Sequence, residues 1–196
     1  MGTRSKRSER CRQCRLQTRL CICSAIPRLD LATRLILVMH RREWVKPTAT
    51  GPLALAMLAN SELRIQGHRE HPLDFRDLDT IERRTLLLYP GDAAPVLDRS
   101  FLAADPRPIN LVVPDGTWGQ AGRMGKRLPG LEHAAMVRLP EGARTGWGIR
   151  KEHHPGGLAT FEAIARSLGI IESAEVQESM EEVFRLMVER TLQARG

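Results

Sequence analysis

Short apolar runs alternate with longer amphipathic segments from residue 34 onward. This alternation is typical of strands that cross over through helices to the next strand of a parallel sheet, so it predicts an α/β fold. The predicted strands are residues 35–39, 63–66, 85–89, 110–113 and 135–139. The predicted helices are residues 51–60, 118–127, 158–168 and 174–193.

The last predicted helix has one apolar face. Its stripe at three- and four-residue spacing consists of Val176, Met180, Val183, Phe184, Met187 and Val188. Glu and Arg side chains occupy half of the remaining positions. We therefore expect this helix to pack on the sheet or on a partner subunit.

Three predicted strands run directly into polar and glycine-containing segments. The first strand is followed by His40, the third by residues 90–92 (Pro-Gly-Asp) and the fourth by residues 114–118 (Pro-Asp-Gly-Thr-Trp). Ligands of open α/β sheets bind outside the carboxyl ends of the strands, so these three ends predict one shared pocket. The alternative is that Pro-Gly and Asp-Gly only mark turns.

The length of the chain, 196 residues, fits one domain with a core and a small appendage. The longest apolar stretches, residues 35–39 and 86–89, are far shorter than the roughly 18 residues of a membrane span. The basic residues 1–10 precede no apolar region with a cleavage site, so we expect no secretory signal. A cytoplasmic, reducing location follows.

The positive charge is concentrated at one end of the chain. The formal net charge is +7, yet residues 1–42 hold eleven Lys and Arg against two acidic residues, a balance of +9 that leaves −2 for the other 154. A concentrated cationic segment beside a near-neutral body suits the neutralisation of phosphates, so we expect a nucleic-acid partner. The alternative for residues 1–10 is a disordered solubilising tail.

All four cysteines lie within thirteen residues and form the cysteine cluster: Cys11, Cys14, Cys21 and Cys23. Disulfides are not expected in a reducing compartment, whereas four thiolates suit a closed, structural zinc site. A redox or iron–sulfur site is the alternative. The segment has little apolar material, so the metal would supply folding free energy and hold the arginines between the cysteines in a fixed array.

Residues 115–121, Asp-Gly-Thr-Trp-Gly-Gln-Ala, resemble the motif of the DTW domain family. Other segments resemble the family in the same order along the chain: the cysteine cluster and residues 40–51, 88–91, 149–151 and 158–163. Two positions depart from the family pattern, Ala49 where Asn is common and Ala159 where Ser is common. These departures affect single hydrogen bonds and leave the family assignment intact.

The resemblance implies a SPOUT-like parallel sheet with a C-terminal knot that holds S-adenosylmethionine, although knots are rare among folds. It also implies transfer of the 3-amino-3-carboxypropyl group of S-adenosylmethionine to N3 of a tRNA uridine, with release of methylthioadenosine. We expect residues 1–30 to form the basic arm and zinc knuckle, and residues 31–196 to form the catalytic domain.

The expected catalytic residues are Asp115, Thr117 and Trp118. Because the uracil N3–H is a weak acid, a general base is needed, and burial raises the pKa of a carboxyl group toward useful values. Asp115 therefore acts either as this base or as a fixed hydrogen-bond acceptor. Trp118 either stacks on a base or only packs, and Thr117 either caps a helix or binds.

The expected cofactor site combines glycine backbone, which a ligand can approach closely, with Arg150, whose planar fork suits a carboxylate. Its residues are Leu88, Tyr89, Pro90, Gly91, Pro114, Gly116, Arg150, Gly156, Gly157, Leu158 and Thr160. The expected RNA-binding residues are His40, Glu43, Lys46, Thr48 and Lys151. We expect Thr50 to be a helix N-cap and the adjacent His153 and His154 to be surface or RNA-facing residues.

Two other functions remain open. A SPOUT-type RNA methyltransferase would use the same cofactor, but it would release S-adenosylhomocysteine. A non-catalytic zinc-knuckle RNA-binding protein would explain the cysteines and the basic arm, but it would leave the three polar strand ends without a role.

Overall fold

The structure is a computed structural model that describes residues 9–67, 70, 73–78, 80–91, 93–116, 128–148 and 157–195. Its five strands are β1 (Arg34–His40), β2 (Ser61–Gln66), β3 (Arg84–Leu88), β4 (Ile109–Asp115) and β5 (Ala135–Val137). They form one sheet in the order β2-β1-β4-β3-β5, and every pair is parallel. The predicted α/β class and the five predicted strands are confirmed.

The two central strands, β1 and β4, are covered on both faces. Residues 35–39 of β1 and 109–113 of β4 are all buried. A parallel strand that is buried on both faces needs a continuous apolar run, and β1 carries Leu-Ile-Leu-Val-Met at these positions. This continuous pattern explains why both strands were found from the sequence.

The described helices are α1 (Arg41–Trp44), α2 (Gly51–Met57), α3 (Arg99–Ala103), α4 (Thr160–Ile171) and α5 (Ala174–Gln193). The predicted bounds of α5 are confirmed. Helix α2 ends before the predicted residue 60, because Leu58 turns to an extended conformation and forms a parallel bridge with Leu29. The short α1 and α3 were not predicted, and the predicted helix 118–127 lies outside the described residues.

The larger core lies between the sheet and the α4–α5 pair. Phe161 of α4 stacks on Phe184 of α5 with ring centroids 5.3 Å apart, and Trp147 packs on Phe184 at 5.8 Å. In α5, Met180, Val183, Phe184 and Met187 are buried, while Val176 and Val188 are partly buried against the same core. The predicted apolar stripe therefore packs within the chain itself.

The cysteine segment shares this larger core. Its buried residues Cys14, Leu16 and Ile22 belong to the same apolar cluster as the inner faces of β1 and β4. The division of the chain at residue 30 stays a prediction. The C-terminal knot also stays a prediction, because residues 117–127 and 149–156 lie outside the described residues. Within the described part of the chain, no helix has the length and apolar character that crossing a membrane requires.

Gly130→Ala is expected to destabilise the fold by about 2 kcal/mol or more. Gly130 has φ +86°, and an added Cβ would lie 2.6 Å from the backbone nitrogen of Arg76 and 2.8 Å from the carbonyl carbon of Phe75. Urea unfolding followed by circular dichroism measures the change. At the control Gly142→Ala, the added Cβ meets only the end of the Arg166 side chain at 3.3 Å. Equal stability of the two variants would contradict the expectation.

Candidate active site and cysteine cluster

The three polar strand ends lie side by side. Strand β4 lies between β1 and β3, and Asp115 at the end of β4 is in register with Met39 of β1. Because the strands are parallel, their carboxyl ends meet at one edge of the sheet. The adjacency on which the predicted shared pocket depends is therefore confirmed, while the pocket itself stays a prediction.

A separate cleft of about 280 Å³ lies at the opposite edge, near the amino ends of β3 and β5. Arg83, Arg84 and Arg107 are among its lining residues. Asp115 does not line this cleft, so its volume does not describe the candidate site. Residues 117–127 and 149–156, which include several of the predicted site residues, lie outside the described residues.

Asp115 is held between the starts of two helices. Its side chain is buried, with 5 % exposure, and its Oδ1 accepts a hydrogen bond of 2.8 Å from the Thr160 hydroxyl at the start of α4. At the start of α2, Gly51 approaches so closely that an added Cβ would lie 2.5 Å from Asp115 Oδ2. A donated hydrogen bond favours a carboxylate that carries its negative charge, which is the form that can accept a proton.

Thr50 joins the same two helix starts. Its hydroxyl oxygen accepts a 3.3 Å hydrogen bond from the backbone N–H of Phe161 in the first turn of α4. Thr50 occupies the N-cap position of α2, as expected, but its side chain makes no capping hydrogen bond to that helix. The N-terminal N–H groups of a helix need acceptors, and Ala159 at the N-cap of α4 has none to offer. The Thr50 hydroxyl oxygen supplies this acceptor, although Thr50 is 111 residues away from Phe161 in the sequence.

The Glu162 side chain accepts hydrogen bonds from residues that precede α4, and sequence reasoning missed this role. Its carboxylate accepts hydrogen bonds from the backbone N–H of Gly146 at 2.7 Å and of Ala159 at 3.0 Å. The Thr145 hydroxyl is a third donor. A Glu three residues after a helix N-cap was the available sequence signal. This bonding ties residues 145–147 to the helix that presents Thr160.

The segment after β3 makes a tight turn. The Tyr89 N–H donates to the carbonyl of Val137 at 2.8 Å, and the Gly91 N–H donates to the carbonyl of Tyr89 at 2.9 Å. Leu88 is buried, whereas Pro90 is exposed. Pro114 lies in β4 in register with Val38 of β1. Gly116 follows β4, and Gly157 and Leu158 precede α4; all three are partly buried.

Four predicted RNA-binding residues lie in the short helix α1 or within a few residues of it. The His40 Nδ1 caps this helix by accepting from the Arg42 N–H at 3.2 Å. Glu43 is buried, with 1 % exposure, and forms an ion pair with Lys46. Thr48 is partly buried in the segment that leads to α2. Glu43 thus orients Lys46, while the role of these residues in RNA binding stays a prediction.

Five predicted site residues lie outside the described part of the chain: Thr117, Trp118, Arg150, Lys151 and Gly156. The adjacent His153 and His154 also lie outside it. Their assigned roles stay predictions.

The thiols of the cysteine cluster converge to one point. All four sulfur atoms lie within 4.8 Å of one another, with Cys11 Sγ 3.4 Å from Cys23 Sγ and Cys14 Sγ 3.7 Å from Cys21 Sγ. A tetrahedron of sulfurs about 2.3 Å from a central ion has edges of about 3.8 Å. The described donor set therefore fits a tetrahedral metal ion with four thiolate ligands.

The thiols of the cluster differ in acidity. A hydrogen bond from the Cys14 backbone is the main cause that lowers the pKa of Cys11 to about 6. Burial raises the pKa of Cys14 and of Cys23 above the ordinary value of a thiol. A bound divalent cation would stabilise all four thiolates, which offsets this effect of burial.

Arg15 connects the cysteine cluster to the candidate site, which sequence reasoning also missed. Its guanidinium lies 4.7 Å from the centre of the Trp44 ring and donates a hydrogen bond to the Trp44 carbonyl. Burial lowers the pKa of Arg15, whereas the negative charge of Asp115 raises it. Trp44 belongs to α1, which directly follows β1, and β1 is the neighbour of β4, so the contact with Trp44 brings Arg15 to the side of the sheet edge that carries Asp115.

The protein is expected to carry about one divalent metal ion per chain, held by the cysteine cluster. Cys14→Ser removes a buried ligand, so it should release the ion and lower the thermal midpoint by about 10 °C or more. Native mass spectrometry and a thermal scan measure the two effects. Ser24→Ala is the control, because Ser24 is exposed beside Cys23. A metal-free wild-type protein with the same midpoint as Cys14→Ser would contradict this.

Comparisons with known proteins agree with the resemblance. The DTW domain model matches residues 8–192. The tRNA-uridine aminocarboxypropyltransferase 2 of Macaca fascicularis is 29 % identical over 182 residues, which are 90 % of this chain and 61 % of that protein. The protein of that name from Drosophila melanogaster is 28 % identical over 176 residues, 85 % of this chain and 68 % of its own length.

The Mus musculus protein of the same name is 28 % identical over 182 residues, which are 90 % of this chain and 61 % of its own length. The chain thus spans about three fifths of the Macaca and Mus relatives. No solved structure is significantly similar to it. Since the family model covers nearly all of the sequence, the chain belongs to the DTW domain family.

Proposed function

We propose that this protein transfers the 3-amino-3-carboxypropyl group of S-adenosylmethionine to N3 of a uridine in tRNA. The observation that carries the proposal is Asp115, the aspartate of the family motif, which is buried at the centre of the sheet edge and held by Thr160 and Gly51. The names of the relatives support the substrate and the group transferred. The donor follows from the group transferred, since S-adenosylmethionine carries that chain on its sulfonium.

In this reaction Asp115 accepts the proton of uracil N3. The N3 electron pair then forms a bond to the side-chain carbon next to the sulfonium. The carbon–sulfur bond breaks, and its electron pair stays on sulfur to give neutral methylthioadenosine. The proton passes from Asp115 to solvent. Most of the remaining acceleration comes from holding the two substrates in line.

The donor is expected to lie on the β3 side of Asp115. Gly91 lies in the turn after β3 and Gly157 lies just before α4, and we expect their backbone, which carries no side chain, to allow close contact with adenosine. Thr160 orients Asp115 and stands where helix α4 begins. We assign the donor carboxylate to Arg150, whose planar fork fits it.

The RNA is expected to lie on the β1 side. Lys46 is oriented by Glu43, and His40 and Thr48 lie on the same segment. The basic residues of the N-terminal region add charge that releases counterions from the RNA backbone. Sequence-specific RNA readers usually take unstacked bases, which agrees with a uridine presented to a buried carboxylate.

The metal of the cysteine cluster is proposed to be zinc with a structural role, because four thiolates leave no open position for chemistry. A thiolate site of this kind persists in a reducing compartment, which supports a cytoplasmic location. We also propose the SPOUT-like knot and the division of the chain at residue 30.

Product analysis tests the function. The protein is incubated with tRNA and S-adenosylmethionine labelled either in the methyl group or in the carboxyl group. Our proposal expects the carboxyl label in the RNA and the methyl label in methylthioadenosine. A methyltransferase would place the methyl label in the RNA and release S-adenosylhomocysteine. A non-catalytic RNA-binding protein would transfer neither label, and either of these results would overturn the proposal.

Asp115→Asn is expected to lower turnover by about 10²- to 10⁴-fold, because an amide cannot accept the N3 proton. Affinity for S-adenosylmethionine, measured by calorimetry, should stay within about threefold. Asp30→Asn serves as the control, since Asp30 is exposed and precedes the opposite end of β1. Full turnover of Asp115→Asn with normal binding would exclude the base and leave the anchor role.

Gly51→Ala is expected to reduce turnover by about tenfold or more, because the new Cβ would displace the Asp115 carboxylate or the start of α2. The control is Gly148→Ala, where an added Cβ meets no atom of the described residues within 4 Å. Steady-state assays of both variants, with circular dichroism to verify folding, test this. If Gly51→Ala were as active as Gly148→Ala, the close approach of Gly51 would have no role in placing Asp115.

A further inference from the structure

Arg15 has a hydrogen-bond donor that the described structure does not use. Its Nη1 is buried and has no hydrogen-bond partner among the described residues, whereas its Nη2 donates to the Trp44 carbonyl. A buried guanidinium N–H without an acceptor is unfavourable, and a bound ligand that supplies an acceptor removes this cost. The surface arginines of the same segment differ, since Arg19 is exposed and donates to Gln17.

Backbone hydrogen bonds and a stacking contact hold Arg15 in place. It has φ +64° and is the only non-glycine among the described residues with a positive φ, a conformation that is unfavourable for a side chain of this kind. Its N–H donates to the carbonyl of Cys11 at 3.0 Å, and its own carbonyl accepts from Arg10 at 3.1 Å. Its guanidinium stacks on Trp44. The turn between Cys11 and Cys14 thus directs this side chain towards the body of the protein.

Arg15 lies on the β1 side of Asp115, where we expect the RNA to bind. Its stacking partner, Trp44, belongs to α1, which follows β1. The turn at Gly91, to which we assign the donor, follows β3 on the other side of β4. Asp115 therefore separates Arg15 from the donor's expected position. This placement favours contact of Arg15 with the uracil.

The chemistry of the uracil requires a positive charge at this place. When N3 loses its proton, the negative charge of the ring is shared by the carbonyl oxygens on either side of N3. A carboxylate that accepts from N3–H and a guanidinium that donates to the next oxygen match this edge of the base. A fixed donor that gains strength as charge develops lowers the barrier of the reaction.

We propose that Arg15 is a further catalytic residue, whose Nη1 donates to a carbonyl oxygen of the target uracil while Asp115 accepts the N3 proton. The proposal rests on the proposed function. Before proton transfer the Arg15 charge is balanced by the Asp115 carboxylate, and afterwards it is balanced by the uracil anion. The attack of N3 on the donor carbon then consumes this anion and releases methylthioadenosine.

The test compares Arg15→Gln, Arg15→Lys and the control Arg185→Gln, whose side chain is exposed on α5. Single-turnover assays use two tRNA transcripts, one containing uridine and one containing 5-fluorouridine. Fluorine withdraws electrons and makes N3 more acidic, so the 5-fluorouracil anion needs less stabilisation by the positive charge of Arg15. On the uridine transcript we expect Arg15→Gln to react about 10²-fold more slowly than wild type. On the 5-fluorouridine transcript the loss should be tenfold or less. Arg15→Lys keeps the charge and should be intermediate on both.

Metal content and affinity for S-adenosylmethionine should match wild type within about twofold in every variant. Loss of the same size on both transcripts would indicate a structural role and overturn the proposal, as would full activity of Arg15→Gln. A loss of donor affinity would place Arg15 at the donor carboxylate and overturn it too. If the wild-type protein transfers nothing to either transcript, the proposed function fails, and this inference fails with it.

Discussion

The hydrogen bond from Thr160 to Asp115 joins the two halves of the candidate site. It links the end of β4 to the start of α4, and it is possible because Gly51 leaves room for the other carboxylate oxygen. Thr50 adds a second link by accepting from the Phe161 N–H. A buried carboxylate needs such partners, because without them its desolvation would be unfavourable. The sheet edge, α2 and α4 are thereby fixed around one charge.

The cysteine cluster belongs to the same arrangement. Cys14 and Ile22 pack into the core that also contains Leu37 and Leu111 of the central strands. A metal ion that stabilises the cluster therefore stabilises the position of Arg15 as well, since this residue directly follows a ligand. Structural metal sites commonly contribute folding free energy. Here the same site also positions Arg15 against Trp44, beside the candidate active site.

The sequence predicted the elements that depend on local pattern. The strands follow continuous apolar runs, and α5 was predicted from its apolar stripe, which extends from Val176 to Val188 and is buried at its centre. The motif at Asp115 was found together with its place at a strand end.

What the sequence did not predict depends on partners far along the chain. The hydrogen bond of the Thr50 hydroxyl was missed because its partner, Phe161, is 111 residues away. Helix α2 stops early because Leu58 pairs with Leu29. The approach of Arg15 to Asp115 depends on a fold that only the assembled sheet provides.

The central claim is that the Asp115 carboxylate receives the uracil N3 proton at this sheet edge. A crystal structure of the protein with a uridine-containing RNA and a non-reactive analogue of S-adenosylmethionine tests it most directly. The account predicts uracil N3 within about 3 Å of an Asp115 oxygen, with the donor carbon next to N3 in the plane of the ring, where the electron pair left by the proton points. A uracil bound away from Asp115, with N3 facing another group, would contradict it.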